Sequence, residues 1–230
     1  MAGMEKHASV FRIGWESAKA NVVPMVVLWS FALVLVSSYY LMPGVAAFLQ
    51  PVADWQLRWG VRAAIVNQVF FCAIVPTTFV LLVRRIRTER PIVKGAVQSV
   101  WCVLWSFVYV WFYDFQCRMF GTGHGLATLA AKSAFDQFVW VPFVVMPVNA
   151  AFYLWMGRGF SWPAVVQAWR KGFVRHVILP NLIANWCVWI PVMFALYAFP
   201  YALQIQVLGL VASFWTLMCY QIGGRVSDAG

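Results

Sequence analysis

The chain has 230 residues, of which 63% are hydrophobic and only 10% are charged, and its mean hydropathy is +0.76. A soluble domain of this size cannot bury so much apolar surface, so the composition excludes an ordinary soluble protein and predicts a bilayer as the main solvent. The formal net charge of +10 lies in short basic stretches between apolar runs, which argues against nucleic-acid binding and favours anionic lipid head groups as partners.

Six apolar runs are long enough, at about 20 residues each, to cross a hydrocarbon core. They are predicted at Asn21 to Met42, Val61 to Val83, Gly95 to Phe115, Ala134 to Met156, Leu179 to Phe199 and Ala202 to Ile222. Residues 160–175 are too polar to span, yet they carry apolar residues at helical spacing, which predicts an interfacial helix. The predicted fold class is an all-α polytopic transmembrane helix bundle with about six spans.

The basic residues are distributed unequally between the two sides of the membrane. With six spans, the two termini share a side with the second and fourth loops, and 13 of the 17 Lys and Arg residues lie there. The positive-inside rule therefore places both termini in the cytosol of a bacterium or the matrix of a mitochondrion. In the second loop, between the second and third spans, the residues predicted to contact lipid head groups are Arg84, Arg85, Arg87, Arg90 and Lys94.

No catalytic or metal-binding pattern stands out in the sequence. The five cysteines are odd in number and have no CxxC spacing, which predicts buried packing residues rather than disulfides or a zinc site. The three histidines are far apart, and no Ser-His-Asp arrangement is evident from spacing. We therefore predict no enzyme, no cofactor and no metal, and an enzyme acting on lipid is the least favoured alternative.

Polar residues inside the spans need an explanation, because each is costly in hydrocarbon. Lys132 and Asp136 are four residues apart, so a helix brings them onto one face, and Asp136 is expected in the first turns of its span, where the helix dipole favours it. Two interpretations stay open: an interhelical lock of mutually satisfied groups, or the lining of an aqueous cavity. The residues assigned to this site are Lys132, Asp136, Gln137, Asn185, Trp186 and Trp189. Proline kinks are predicted at Pro142, Pro147, Pro191 and Pro200.

Several of these residues form a pattern along the chain. Asp136-Gln137 is followed by Pro142, Asn185-Trp186 by Trp189 and Pro191, and Tyr197-Ala198-Phe199-Pro200 by Trp215. In these motifs the chain resembles the family of small organellar membrane proteins typified by Mpv-seventeen and the peroxisomal membrane protein of twenty-two kilodaltons. The resemblance covers residues 95–222, a family-like four-span bundle. Residues 1–94, with two spans, match poorly, and residues 223–230 form a short tail.

The resemblance implies a channel-like pore for small solutes in the mitochondrial inner membrane, and in that membrane the distribution of basic residues predicts both termini in the matrix. Peroxisomal and bacterial membranes are alternative locations. Met193 and Leu196 stand where the family has glutamine and asparagine, and this loss favours an alternative function: a non-catalytic accessory or structural subunit of a larger respiratory or ATP synthase complex. The expected partners are membrane lipids and, for the alternative, other subunits of such a complex. The sequence does not identify the transported solute.

Overall fold

The computed structural model describes Lys19, residues 22–83 and residues 89–227; for His176 and residues 218–227 it describes the backbone alone. The α-helices are α1 (Val22–Leu41), α2 (Pro43–Trp59), α3 (Val61–Val69), α4 (Val75–Leu82), α5 (Pro91–Phe120), α6 (Leu126–Phe135), α7 (Met146–Gly157), α8 (Trp162–Arg170), α9 (Leu179–Ala198) and α10 (Tyr201–Ser227). Three π-helical segments, π1 (Phe70–Ile74), π2 (Asp136–Val145) and π3 (Val174–Ile178), continue these helices. These ranges contain no strand, so the predicted all-α class is confirmed.

Five helical stretches of the described residues are long and apolar enough to cross a membrane. They are Val22–Leu41, Val61–Leu82, Pro91–Phe120, Leu126–Gly157 and Leu179–Ala198, and they coincide with the first five predicted spans. The predicted polytopic bundle is therefore confirmed. The sixth predicted span lies in α10, whose apolar stretch Tyr201–Leu217 is shorter, and its membrane crossing stays a prediction.

Several boundaries differ from the sequence-based prediction. The link between the first two spans is itself a helix, α2, and it begins with Pro43, a residue well suited to a first helical turn. The fourth span begins at Leu126 instead of Ala134, so Asp136 lies about three turns into the helix. The prediction that the helix dipole stabilises the Asp136 carboxylate is wrong, because that effect fades beyond the first turn.

The chain divides into two compact units. Of the described residues, the first comprises those up to Val26 and Ser133–Pro191, and the second comprises those from Val27 to Lys132 and from Val192 onward. In the second unit α3 packs against α5, and α10 packs against α2, α3 and π1. Small residues allow the helices of this unit to approach closely: Ala63 and Ala64 are fully buried, and a Cβ on Gly95 would lie 2.6 Å from Thr77 Oγ1.

In the first unit π2 packs against α7, and α7 contacts α8 and π3. Helix α8 begins at an N-cap, where Ser161 Oγ accepts a 3.4 Å hydrogen bond from Ala164 N. Val165 is buried, whereas Trp162, Val166 and Trp169 form an exposed apolar stripe at helical spacing. This amphipathic form agrees with the predicted interfacial helix.

The four predicted kink prolines occupy different helical contexts. Pro142 lies inside π2 and Pro191 inside α9. Pro147 is the second residue of α7, which continues π2 without a break, so its missing N–H falls inside the helical span Leu126–Gly157. Pro200 separates α9 from α10, between the fifth and sixth predicted spans.

Candidate functional site

The segment Asp136–Val145 is π-helical, and Pro142 lies within it. A proline has no N–H to donate, and in an α-helix its ring clashes with the carbonyl four residues earlier; wider turns are one way in which membrane helices accommodate it. In the π register each N–H serves the carbonyl five residues earlier, as Met146 N does with Val141 O. The carbonyl that residue 142 would serve is therefore that of Gln137.

A side chain of α9 supplies the missing donor. Trp186 Nε1 donates a hydrogen bond of 2.7 Å to the Gln137 carbonyl oxygen. The indole also packs on Phe138, with 5.3 Å between the ring centroids. Because an unsatisfied backbone carbonyl in hydrocarbon costs several kcal/mol, Trp186 offsets the hydrogen bond that Pro142 removes from its own helix.

The side chains next to this carbonyl bond to one another. Gln137 Nε2 donates to Asp136 Oδ2 at 3.2 Å, and Gln137 Oε1 accepts a long hydrogen bond of 3.5 Å from Asn185 Nδ2. Gln137 and Asp136 are both buried. We call Asp136, Gln137, Asn185 and Trp186 the Gln137 cluster. Its chemistry, one carboxylate held by amides, suits interhelical hydrogen bonding.

The structure thus brings together four of the six residues assigned to the site from sequence. Trp189 lies on α9, half-buried, and the described hydrogen bonds of the Gln137 cluster do not include it. The residues of the described ranges also contain no group of three His, Cys, Asp or Glu side chains that could hold a metal ion.

Lys132, the sixth assigned residue, belongs to the second unit and is 2% exposed. Its Nζ lies 3.4 Å from Cys117 Sγ, and its carbonyl oxygen accepts a 3.4 Å hydrogen bond from Gln116 Nε2. Gln116 is fully buried, and in the described part of the chain its Oε1 has no hydrogen-bond partner. We call Lys132, Gln116 and Cys117 the Lys132 group. A thiol is a weak hydrogen-bond acceptor, so Cys117 satisfies the Lys132 ammonium poorly. The pairing of Lys132 with Asp136 stays a prediction.

Polar side chains also connect α10 to its neighbours in the second unit. Asn67 Nδ2 donates to Ile205 O at 2.9 Å, and Gln206 Nε2 donates to Gln56 Oε1 at 2.6 Å. Gln68 is 3% exposed, and although its Oε1 accepts from Cys72 Sγ at 3.3 Å, its Nε2 has no hydrogen-bond partner among the described residues. This unit therefore has a second group of buried amides, and the Gln68 amide nitrogen in it has no described acceptor.

The carbonyls near Pro200 are satisfied by two side chains. Gln204 Nε2 donates to Phe199 O at 2.9 Å and to Tyr197 O at 3.4 Å, and the Tyr40 hydroxyl donates to Ala198 O. A helix leaves its last carbonyls without intrahelical partners, and Pro200 offers no N–H. These two side chains therefore cap the end of α9.

Sequence reasoning did not single out several of these residues. Gln116 and Cys117 lie past the predicted end of the third span, whereas the helix in the structure continues to Phe120. Tyr40 acts on a carbonyl 158 residues away, a relation that leaves no local pattern in the sequence. In the sequence, the cap at the end of α9 was indicated by Pro200, which ends the helix, and by Gln204, which follows it.

The predicted lipid head-group residues are described only in part. Arg84, Arg85 and Arg87 lie outside the described residues. Arg90 precedes α5 with a left-handed φ of 52° and is exposed, and Lys94 follows in the first turn of α5.

Comparison with family models, curated proteins and solved structures gives no match to this chain.

Proposed function

We propose that the chain is a channel-like membrane protein that passes small polar solutes through its second unit. The observation that carries the proposal is the set of buried polar atoms that lack partners among the described residues of that unit, Gln68 Nε2 and Gln116 Oε1, together with the Lys132 ammonium beside a thiol. Such groups are stable in a membrane when water reaches them. A hydrated interior is what a solute pathway requires.

The Gln137 cluster has a different role in this proposal. The Gln137 carbonyl accepts from the Trp186 indole, and the Gln137 amide bonds to the Asn185 amide and the Asp136 carboxylate, so their burial is explained without a solute. Interhelical hydrogen bonds of this kind contribute about 1 to 2 kcal/mol each in a membrane. We assign the cluster to the lock interpretation, with the pathway formed by the second unit.

Reconstitution of the purified chain into planar bilayers tests the proposal. We expect conductance above that of protein-free bilayers, with preparations that contain equal detergent as the control. Conductance at the protein-free level would overturn the proposal.

A second candidate function is an accessory subunit of a larger inner-membrane complex. Met193 and Leu196 are both buried in the second unit, at positions where the family that the chain resembles has polar residues. Their burial favours a packed interior over a lumen. Native electrophoresis after mild detergent extraction distinguishes the two functions. Migration at the mass of the chain alone would contradict the subunit, and co-migration with other proteins would support it.

We also propose the mitochondrial inner membrane as the location, with both termini in the matrix. The asymmetry of the basic residues and the resemblance support it. Protease protection of terminal tags in mitochondria, compared with peroxisomes of the same cells, is the test. Tags cut in intact inner-membrane vesicles of native orientation would contradict the proposed orientation.

Anionic lipids are the partners that we propose for α8. Residues 137–227 contain no acidic side chain, while Arg158, Arg170 and Lys171 flank the exposed stripe of Trp162, Val166 and Trp169. Tryptophan favours the head-group level, and each basic residue near an anionic surface contributes about 1 kcal/mol. Added anionic lipid should therefore raise the melting temperature of the detergent-solubilised chain more than zwitterionic lipid does.

A further inference from the structure

We infer that the pathway of the second unit prefers anions, and that Lys132 sets this preference. The inference rests on the proposed function and names its solute class. Lys132 is 2% exposed, and within the second unit the described polar partner of its ammonium is Cys117 Sγ at 3.4 Å. A thiol carries no formal negative charge, so it leaves the charge of the ammonium uncompensated within that unit.

The acidic groups nearest to Lys132 have other described hydrogen-bond partners. Asp136, four residues further along the helix, accepts from Gln137 Nε2 at 3.2 Å. Residues 61–82 and α5 are joined by the short segment 83–90, so they run antiparallel, and the start of α3 lies at the same end as the last turns of α5. There Asp114 Oδ2 pairs with Arg118 Nη2 at 2.8 Å, and Asp54 Oδ1 accepts from Gln50 Nε2 at 2.8 Å.

The four basic side chains near this end outnumber the three carboxylates Asp54, Asp114 and Asp136. Arg58 and Arg62 lie over the Trp59 ring, with their guanidinium carbons 6.0 and 5.9 Å from its centroid. Together with Arg118 and Lys132, they give this end of the unit a positive field, which raises the local concentration of anions.

Burial makes Lys132 the most influential of these charges. A charge removed from water acts through a low effective dielectric, so its attraction for a passing ion is stronger than that of an exposed arginine. Lysine and arginine side chains in a constriction select anions in channels generally. The Gln116 amide beside Lys132 offers no competing charge, and the group therefore fits small anions such as chloride, carboxylates or inorganic phosphate.

Cys117 permits a test that does not depend on conductance. In a variant that retains Cys117 as its sole cysteine, we compare the rates of modification by a negatively charged and a positively charged methanethiosulfonate reagent. The thiolate attacks the reagent sulfur, forms a mixed disulfide and releases methanesulfinate. Replacing Lys132→Gln should lower the ratio of negative to positive reagent rates about tenfold. The control Arg118→Gln, at an exposed ion pair, should change it little.

A second measurement uses the reversal potential in a potassium chloride gradient. The wild-type chain and Lys132→Arg should both show chloride preference, and Lys132→Gln should conduct without it. Lys132→Arg also guards against misfolding, because it retains the charge. A preference for potassium in the wild type, or reagent ratios equal in Lys132→Gln and wild type, would overturn the inference. If Lys132→Gln shifts the reagent ratio but the wild-type chain does not conduct, the pathway is refuted and the anion site at Lys132 is supported.

Discussion

Pro142 and Trp186 act on one atom, the carbonyl oxygen of Gln137. The proline removes the N–H that the π register would direct to this oxygen, and the indole N–H of Trp186 takes its place at 2.7 Å. The motif Asp-Gln followed by a proline and the motif Asn-Trp are therefore two halves of one contact. This pairing gives a physical reason for both motifs to occur in one chain.

Replacing Trp186→Phe should lower the free energy of unfolding by about 1 to 2 kcal/mol, because it removes the donor and keeps a ring against Phe138. Denaturation of the detergent-solubilised chain measures the loss. Trp189→Phe is the matched control, since it alters an indole of the same helix and leaves the Gln137 bond intact. Pro142→Ala restores a backbone donor, so the cost of Trp186→Phe should be smaller in that background. An equal cost in both backgrounds would refute the shared-carbonyl account.

Asp136→Asn distinguishes the lock interpretation from the cavity interpretation. We expect lower abundance of the folded chain and unchanged solute flux per reconstituted molecule, because the charge-assisted hydrogen bond from Gln137 Nε2 to the carboxylate becomes a weaker one to a neutral amide oxygen. Quantified reconstitution with a flux assay gives both values. Altered flux at wild-type abundance would show that Asp136 lines the pathway.

At the residue level, sequence reasoning identified the members of the Gln137 cluster but not the bond that unites them. Polar and aromatic side chains in apolar spans are conspicuous, whereas a backbone carbonyl that lacks a donor leaves no mark in the sequence. The positions of Gln116 and Cys117 were missed for a simpler reason: hydropathy underestimates a helix that extends beyond the apolar core.

At the level of helices, five predicted spans agree with the structure because span length follows directly from the thickness of the hydrocarbon core. The π segments were not predicted, since hydropathy measures how apolar a run is and does not register which carbonyl each N–H serves. Helix α2 was also missed. No element was predicted for residues 43–59, which include the central Pro51 and the polar Gln50, Asp54 and Gln56.

The packing of α3 against α10 depends on a glycine. A Cβ on Gly209 would overlap Asn67 Nδ2, whose hydrogen bond to Ile205 O joins the two helices. We expect Gly209→Ala to lower the free energy of unfolding by about 1 to 3 kcal/mol, measured by the same denaturation.

Gly44→Ala is the control for that change, because the added methyl group meets no atom within 4 Å and alanine favours the helix. Asn67→Ala should remove most of the additional cost of Gly209→Ala, since it removes the overlap. If Gly209→Ala is equally costly when Asn67 is alanine, the close approach is not its cause.

At the scale of the whole molecule, the two units differ in which buried polar atoms lack a hydrogen-bond partner among the described residues. In the first unit these include Ser133 Oγ and Trp155 Nε1, which lie outside the internally bonded Gln137 cluster. In the second unit they include amide atoms of Gln68 and Gln116, and Gln116 lies beside the buried Lys132. These amides and the buried ammonium are the basis for assigning the hydrated pathway to the second unit.

The most direct test of this assignment is the flux of a small anion per reconstituted molecule in Gln116→Leu. Leucine has a similar volume and cannot bind water, so it should dewet the pathway beside Lys132. We predict a flux reduced at least about tenfold, with Trp186→Phe retaining wild-type flux per folded molecule. Wild-type flux in Gln116→Leu would contradict the account.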